Sequence, residues 1–170
     1  GQSAGSFGLS GCISFYPAKV LGCFGDGGAV LTNDKKIYEM IKLMRDHGRG
    51  EDGNVSVWGY NSRLDNLQAA ILNYFFDDYE TSNQRRRAIA DLYNASLRGL
   101  DGVVLPPAED SDMEHFDIFQ NYEIEVPNRD ELKKYLLSKG IGTLIQWGGK
   151  AVHEFKDLGF TQSMSFTENI

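Results

Sequence analysis

Lys19 is the residue whose type and position first suggest chemistry. It follows a short apolar run, Cys12-Ile13-Ser14-Phe15-Tyr16, and precedes a loop rich in glycine at positions 22, 25, 27 and 28. A lysine drawn inside at such a place is partly desolvated and loses its proton more easily. The neutral amine is the form that attacks an aldehyde to make a Schiff base. A lysine at a strand end can equally snorkel, laying its stem on apolar surface with the ammonium in water, and position alone leaves both readings open. The run Gly25-Asp26-Gly27-Gly28 has the composition of a phosphate nest. It leads into a strand pattern rather than a helix N-terminus, so it reads as a turn. Cys12 and Cys23 stand eleven residues apart, which is neither a metal-ligand spacing nor a disulfide framework. Free cysteines in an apolar stretch pack as small hydrophobes, and both are read as structural.

The elements that must position Lys19 follow from local patterning. Residues 12–16 read as a short buried strand stopped by Pro17, since proline cannot donate to a sheet ladder. Ala29 to Thr32 reads as the next strand, so 12–32 is expected to be a hairpin with a glycine-heavy connection. Asn33 or Asp34 can cap a helix whose apolar positions Ile37, Met40, Ile41 and Met44 recur at helical spacing, with Gly48 placed to end it. Residues 49–61 lack periodicity and are rich in turn formers, which predicts an exposed loop. Ser62 with Asp65 resembles a cap, and Leu64, Leu67, Ile71, Tyr74, Phe75, Ile89, Leu92 and Tyr93 continue as a long helix or a bent pair ending at Gly99. Val103 to Leu105 reads as a short strand, and 118–126 alternate as half-buried β. Asn128 with Glu131 is a capping-box-like start for a helix reaching Gly140, and Ile141 to Trp147 is expected to return as a strand. The last ten residues carry no clear signal.

Composition bounds the function classes. The chain has 170 residues, 41% of them hydrophobic and 24% charged, which is ordinary for a soluble globular protein. A net charge of −7 argues against a nucleic-acid binder, whose affinity rests on basic surface. Arg85-Arg86-Arg87 is too short a run to reverse this, and it reads as a solvated or interface face of a helix. With no apolar run of about 18 residues and no signal-peptide pattern, the expectation is a cytoplasmic protein without a membrane span.

The whole string Ser14-Phe15-Tyr16-Pro17-Ala18-Lys19-Val20-Leu21-Gly22-Cys23-Phe24-Gly25-Asp26-Gly27-Gly28-Ala29-Val30-Leu31-Thr32-Asn33-Asp34 closely resembles the cofactor-lysine segment of the DegT/DnrJ/EryC1/StrS family of sugar aminotransferases. Further agreement follows in the family's order. It runs through Arg45-Asp46-His47-Gly48, then Gly59-Tyr60-Asn61-Ser62-Arg63-Leu64-Asp65, then Gln68-Ala69-Ala70-Ile71-Leu72, and then Arg129-Asp130-Glu131-Leu132. The resemblance spans roughly residues 2–158.

That resemblance implies pyridoxal 5'-phosphate as cofactor, with Lys19 holding it covalently and then moving protons as base and acid. It implies that the Ser14 hydroxyl binds the cofactor phosphate, where a strand serine would otherwise satisfy its own backbone. Gln2 matches the glutamine of the family motif Asp-x-x-Gln that hydrogen-bonds the ring oxygen. Asn61, flanked by Tyr60 and Arg63, matches the residue that reaches the cofactor phosphate of the neighbouring subunit, which implies a homodimer with shared active sites. In the stretch Gln146 to His153, where relatives often carry a tyrosine, a proline and then a histidine, Trp147 and His153 are candidates to line the sugar or nucleotide site. An aromatic at a strand end is otherwise a core residue. His47 and His115 read as surface or structural.

The architecture implied is α/β, the C-terminal part of a pyridoxal-phosphate-dependent transferase fold: a partial large-domain sheet plus a small C-terminal α/β domain. Residues 1–80 would form the partial cofactor-binding domain with the start of the linking helix, and 81–170 the small domain. The expected reaction takes an amino group from an amino-acid donor, glutamate, to a nucleotide-linked keto-deoxysugar. The family's aspartate, partner of the pyridine nitrogen, would fall just ahead of Gly1, so these residues alone are expected to be poorly active. Two alternatives stand beside this reading: a sugar dehydratase of the same family, whose relatives carry histidine where this chain has Lys19, and a non-catalytic fragment serving as an interaction or structural module.

Overall fold

The computed structural model describes residues 2–107 and 116–168. His115 lies outside them. The chain divides into two compact units, Gly1–Tyr93 with Ala108–Asn121, and Asn94–Pro107 with Tyr122–Ile170.

The hairpin opens the first unit. Strand β1 (Gly11–Ser14) pairs antiparallel with β2 (Gly28–Leu31) in the register Gly11↔Leu31, Cys12↔Val30, Ile13↔Ala29, Ser14↔Gly28. β1 is one residue shorter than the expected run 12–16, and β2 keeps the expected length but starts one residue earlier. Ile13, Val30 and Leu31 remain exposed, because among the described residues the sheet has two strands and no further neighbour. Such a pair is marginal by itself and depends on what packs against it. Cys23 is buried at 1% exposure, whereas Cys12, expected inside, is exposed on β1.

Helix α1 (Lys35–Met44) starts at Asp34 rather than Asn33. The Asp34 carboxylate accepts from the Lys36 amide at 2.7 Å and the Ile37 amide at 3.2 Å, the ordinary means of satisfying a first turn. The helix stops at Met44, four residues before the glycine expected to end it. The helical stretch that follows is a bent pair, α2 (Asn66–Phe76) and α3 (Tyr79–Leu97), broken at Asp77 and Asp78. One face of α3 is buried: Ala90 is 1% exposed, and Asn83 and Arg87 are buried on the same helix.

The expected strand at 118–126 is absent, for a local reason. The Asp117 carboxylate accepts from the Phe119 amide at 2.8 Å, and Phe119 takes φ +49, an uncommon backbone state for a bulky residue. The carbonyls that a ladder would use are taken by guanidinium groups. Arg87 Nη1 donates to the Asp117 carbonyl at 2.7 Å, and Arg86 Nη1 donates to those of Phe119 and Gln120 at 3.3 and 3.1 Å. The Arg87 guanidinium also lies 3.9 Å from the Phe116 ring centre. Two of the three arginines therefore hold a loop rather than facing solvent; Arg85 alone of the three is exposed.

In the second unit the expected strand at Val103–Leu105 is reduced to a single antiparallel bridge, Val104↔Glu125. The alternation beyond it survives as burial, with Tyr122, Ile124 and Val126 half-buried between exposed Glu123 and Glu125. Helix α4 (Arg129–Ser138) forms as expected, but Asn128 makes no side-chain cap bond. Asp130 and Glu131 favour the first turn through the helix dipole instead. Its end is closed at Gly140, where the Gly140 and Ile141 amides reach back to the Leu137 and Leu136 carbonyls at 3.0 and 2.9 Å. The strand expected from Ile141 to Trp147 does not form. Consecutive positive φ values at Trp147, Gly148 and Gly149 curl the backbone into a 3-10 turn over Gln146–Gly149. Two short 3-10 turns follow, and α5 (Ser165–Glu168) closes the described chain.

Candidate functional site

Lys19 sits on a loop closed by its own backbone. The Phe15 amide donates to the Gly27 carbonyl at 2.8 Å, and the Cys23 amide donates to the Phe15 carbonyl at 2.8 Å. The Cys23 thiol lies 3.0 Å from that same carbonyl and 3.1 Å from the carbonyl of Gly25. Within the loop, the Lys19 amide turns back to the Tyr16 carbonyl at 2.8 Å. Glycine at 27 is a packing requirement, since a Cβ there would lie 2.8 Å from Cys23 Sγ and 3.1 Å from Leu64 Cδ1. Lys19 is half-buried. Among the described residues its ammonium makes no hydrogen bond or ion pair.

Helix α2 backs this loop. Gln68 Oε1 accepts from the Phe24 amide at 2.8 Å, and the Phe24 ring lies 6.0 Å from that of Phe75, tilted by 56°. Gln68, Leu72 and Phe75 recur at helical spacing on one face, and Leu72 is buried.

Ser14 ends β1 on the exposed side. Its oxygen accepts from the Tyr16 amide at 3.3 Å, so the local backbone bond is made while the hydroxyl proton stays available to donate. Gln2 is exposed, and its amide nitrogen donates to the Ser6 carbonyl at 2.5 Å.

Asn61 lies on a separate, pinned loop of the same unit. It forms a bridge with Asp46, and three amide bonds surround it: Tyr60 to the Met44 carbonyl at 2.7 Å, His47 to that of Tyr60 at 2.8 Å, and Ser62 to that of Arg45 at 2.9 Å. The Asp46 carboxylate accepts from Arg49 Nη2 at 3.0 Å and from Arg63 Nη1. The Asn61 side chain is exposed and makes no hydrogen bond among the described residues.

The hydrogen bond from Arg49 holds the Asp46 carboxyl below its ordinary value of 3.8. Partial desolvation opposes it, and the charge of Arg49 and the bond and charge of Arg63 add to it. A carboxylate whose folded pKa is depressed contributes stability that is complete above its ordinary pKa and fades as pH falls through the folded value. The protection factors of the amides at residues 60–62, taken relative to their intrinsic exchange rates, are therefore expected to stay level from pH 7 down to about 4.5 and to fall below 3.8. Asp46→Asn should remove that dependence. A loosening centred near pH 6, or an identical acid profile in Asp46→Asn, would discount the clamp.

The two later candidates belong to the second unit. Trp147, expected at a strand end, stands on the 3-10 turn with 81% exposure, and is not a core residue. His153 is buried, with Nε2 3.1 Å from Glu168 Oε1. Glu168 also accepts from the Met164 amide and the Ser163 hydroxyl, both at 3.0 Å. The Met164 amide is the chief cause of its lowered pKa. His153 is thus committed to fixing the turn that leads into α5.

The comparisons with known proteins bear on almost the whole chain. The profile of the DegT/DnrJ/EryC1/StrS aminotransferase family matches residues 1–168. The chain belongs to this family. Among its relatives, the dTDP-3-amino-3,4,6-trideoxy-alpha-D-glucose transaminase of Streptomyces venezuelae is 38% identical over 148 residues, covering 86% of this chain and 38% of that protein. The UDP-N-acetyl-3-dehydro-alpha-D-glucosamine 3-aminotransferase of Acidithiobacillus ferrooxidans is 40% identical over 147 residues, covering 86% of this chain and 39% of that protein. The chain therefore spans less than half the length of these relatives. The crystal structure of Streptomyces venezuelae DesV in complex with a ketimine intermediate superposes with a TM-score of 0.85 at 34% identity, covering 95% of this chain and 43% of that one. The α/β fold of this chain is part of that family's aminotransferase fold. Among the described residues no helix is long and apolar enough to cross a membrane.

Two features escaped the sequence reading. Gln68 was visible only as one letter of a family motif, since nothing in a helical pattern says that an amide will reach a loop 44 residues away. The loop-holding role of Arg86 and Arg87 had no signal beyond their charge.

Proposed function

We propose that Lys19 is the covalent anchor of pyridoxal 5'-phosphate in an aminotransferase that moves an amino group from an amino-acid donor, glutamate, to a keto group on a nucleotide-linked deoxysugar. One observation carries the reading. A half-buried lysine with an uncommitted amine stands on a loop held from inside by Cys23 and from α2 by Gln68. The related transaminases named above support the substrate class.

The donor set fits a phosphorylated aldehyde: one free amine for the aldehyde, one hydroxyl with a spare proton five residues before it, and one free amide on a pinned loop. When bound, the cofactor's conjugated ring supplies the electron sink for the carbon that carries the amine. Lys19 Nζ would hold the group through its aldehyde carbon and, when free, would take and return the proton at the carbon that carries the amine. The Ser14 hydroxyl would donate to the phosphate. The Asn61 amide would donate to the phosphate held by a second copy of the chain, making the active unit a homodimer. Gln2 would be the hydrogen-bond donor to the ring oxygen. Trp147 offers an exposed indole for stacking on sugar or base, and His153 keeps the neighbouring turn in shape.

Borohydride reduction of the intact protein loaded with pyridoxal phosphate is expected to fix the cofactor on the peptide that contains Lys19. Label on Lys139 or Lys150 instead, or none at all, would overturn the assignment and favour a non-catalytic module.

A further inference from the structure

We infer that Gln68 is a positioning residue for Lys19: its side-chain oxygen, accepting the Phe24 amide, latches the lysine loop to α2 and sets where the amine is presented. The inference rests on the reading of Lys19 given above and adds a residue to it from a different element.

The loop from Phe15 to Gly27 closes on itself at two backbone bonds and at the Cys23 thiol. Those contacts fix its shape but tie it to nothing outside the hairpin. The hairpin has two short strands and three exposed aliphatic residues, too little to hold a loop still by itself. What joins it to α2 is Phe24, through two unlike contacts. Its amide meets Gln68 Oε1 at 2.8 Å, and its ring meets Phe75 at 6.0 Å. The ring contact is non-directional and tolerates sliding, whereas the hydrogen bond fixes a distance and an angle. Phe24 is the residue next to Cys23, whose amide and thiol both converge on Phe15. A shift of Phe24 is therefore passed to both ends of the segment that carries Lys19. The Gln68 nitrogen contributes no hydrogen bond among the described residues, so the acceptor oxygen is the part that matters. A fixed lysine amine meets its aldehyde in the reactive geometry more often than a wandering one.

The test uses the intact protein and three forms of residue 68. Gln68→Met keeps length and loses the acceptor; Gln68→Glu keeps the acceptor. Two readouts apply, neither of which is turnover: the rate at which borohydride fixes saturating pyridoxal phosphate on the Lys19 peptide, and hydrogen exchange of the Phe24 amide without cofactor. Gln68→Met is expected to slow fixation about tenfold and speed Phe24 exchange about tenfold, the size of one intramolecular hydrogen bond. Gln68→Glu should return both to within about twofold, which a loss of general packing would not allow. Fixation at the wild-type rate in Gln68→Met, or failure of Gln68→Glu to restore it, would overturn the latch. If the wild-type protein carries its label elsewhere than Lys19, the reading of Lys19 fails first, and the Phe24 exchange then still reports on the hydrogen bond alone.

Discussion

Replacing Lys19 by alanine in the intact protein is expected to abolish borohydride-fixed cofactor and to cut transamination by at least about a thousandfold, within the range of about 10²–10⁴ that a positioned proton-transfer group supplies. On the proposed reading one amine performs two tasks, holding the cofactor and moving the proton, and the loop carries no second lysine. Arginine at the same site should not rescue, because a guanidinium stays protonated and cannot attack an aldehyde. The loss should be partly recoverable in a particular way. If Asn61 serves the site of a second copy, a mixture of Lys19→Ala and Asn61→Ala chains that exchange subunits contains one intact composite site per heterodimer and regains part of the activity. Full activity in Lys19→Ala would end the proposal, and no recovery despite demonstrated exchange would place both residues in one chain's site.

Arg87→Ala is expected to destabilise the protein by about 2.5–5 kcal/mol, combining a charged hydrogen bond of about 1.5–3 kcal/mol with a partly desolvated cation–aromatic contact of about 1–2 kcal/mol. Arg87 is 8% exposed, holds the Asp117 carbonyl at 2.7 Å and lies over Phe116, so truncation leaves an acceptor and a ring without their partner. Denaturant unfolding of the intact protein measures the cost. Arg87→Lys should recover less than half of it, since an ammonium keeps the charge but not the flat group that stacks and donates together. A change below about 0.5 kcal/mol, the size of an ordinary surface substitution, would mean that the 116–120 loop is held elsewhere.

What the sequence made legible is local, and what it hid is long-range. The hairpin, α1, the bent helical pair and α4 follow from period and punctuation confined to a few turns of chain. Asp34 and Gly140 do the capping that such residues do anywhere. The strands expected at 118–126 and 141–147 have the right alternation but not the right surroundings: arginines from α3 occupy the carbonyls of one, and a run of positive φ curls the other. Alternation signals a half-buried surface, and only a neighbouring strand turns that into a ladder. In the candidate site, Lys19, Ser14 and Asn61 are proposed on the likeness of their motifs. The Asp46 clamp, the Gln68 latch and the commitment of His153 to Glu168 depend on which side chains meet across distance, which no spacing rule encodes.

The loop around Lys19 and its fastening differ in when they can exist. Every bond that closes the loop lies between Phe15 and Gly27, whereas Gln68 lies 44 residues beyond Phe24. A ribosome adding about 5–20 residues per second delivers Gln68 roughly 2–9 s after Phe24, while a hairpin can form in about 1–10 μs. For some seconds of each synthesis Lys19 is thus carried by a hairpin that folds and unfolds freely. The ordered presentation of its amine dates from the emergence of the helix, not from the emergence of the lysine.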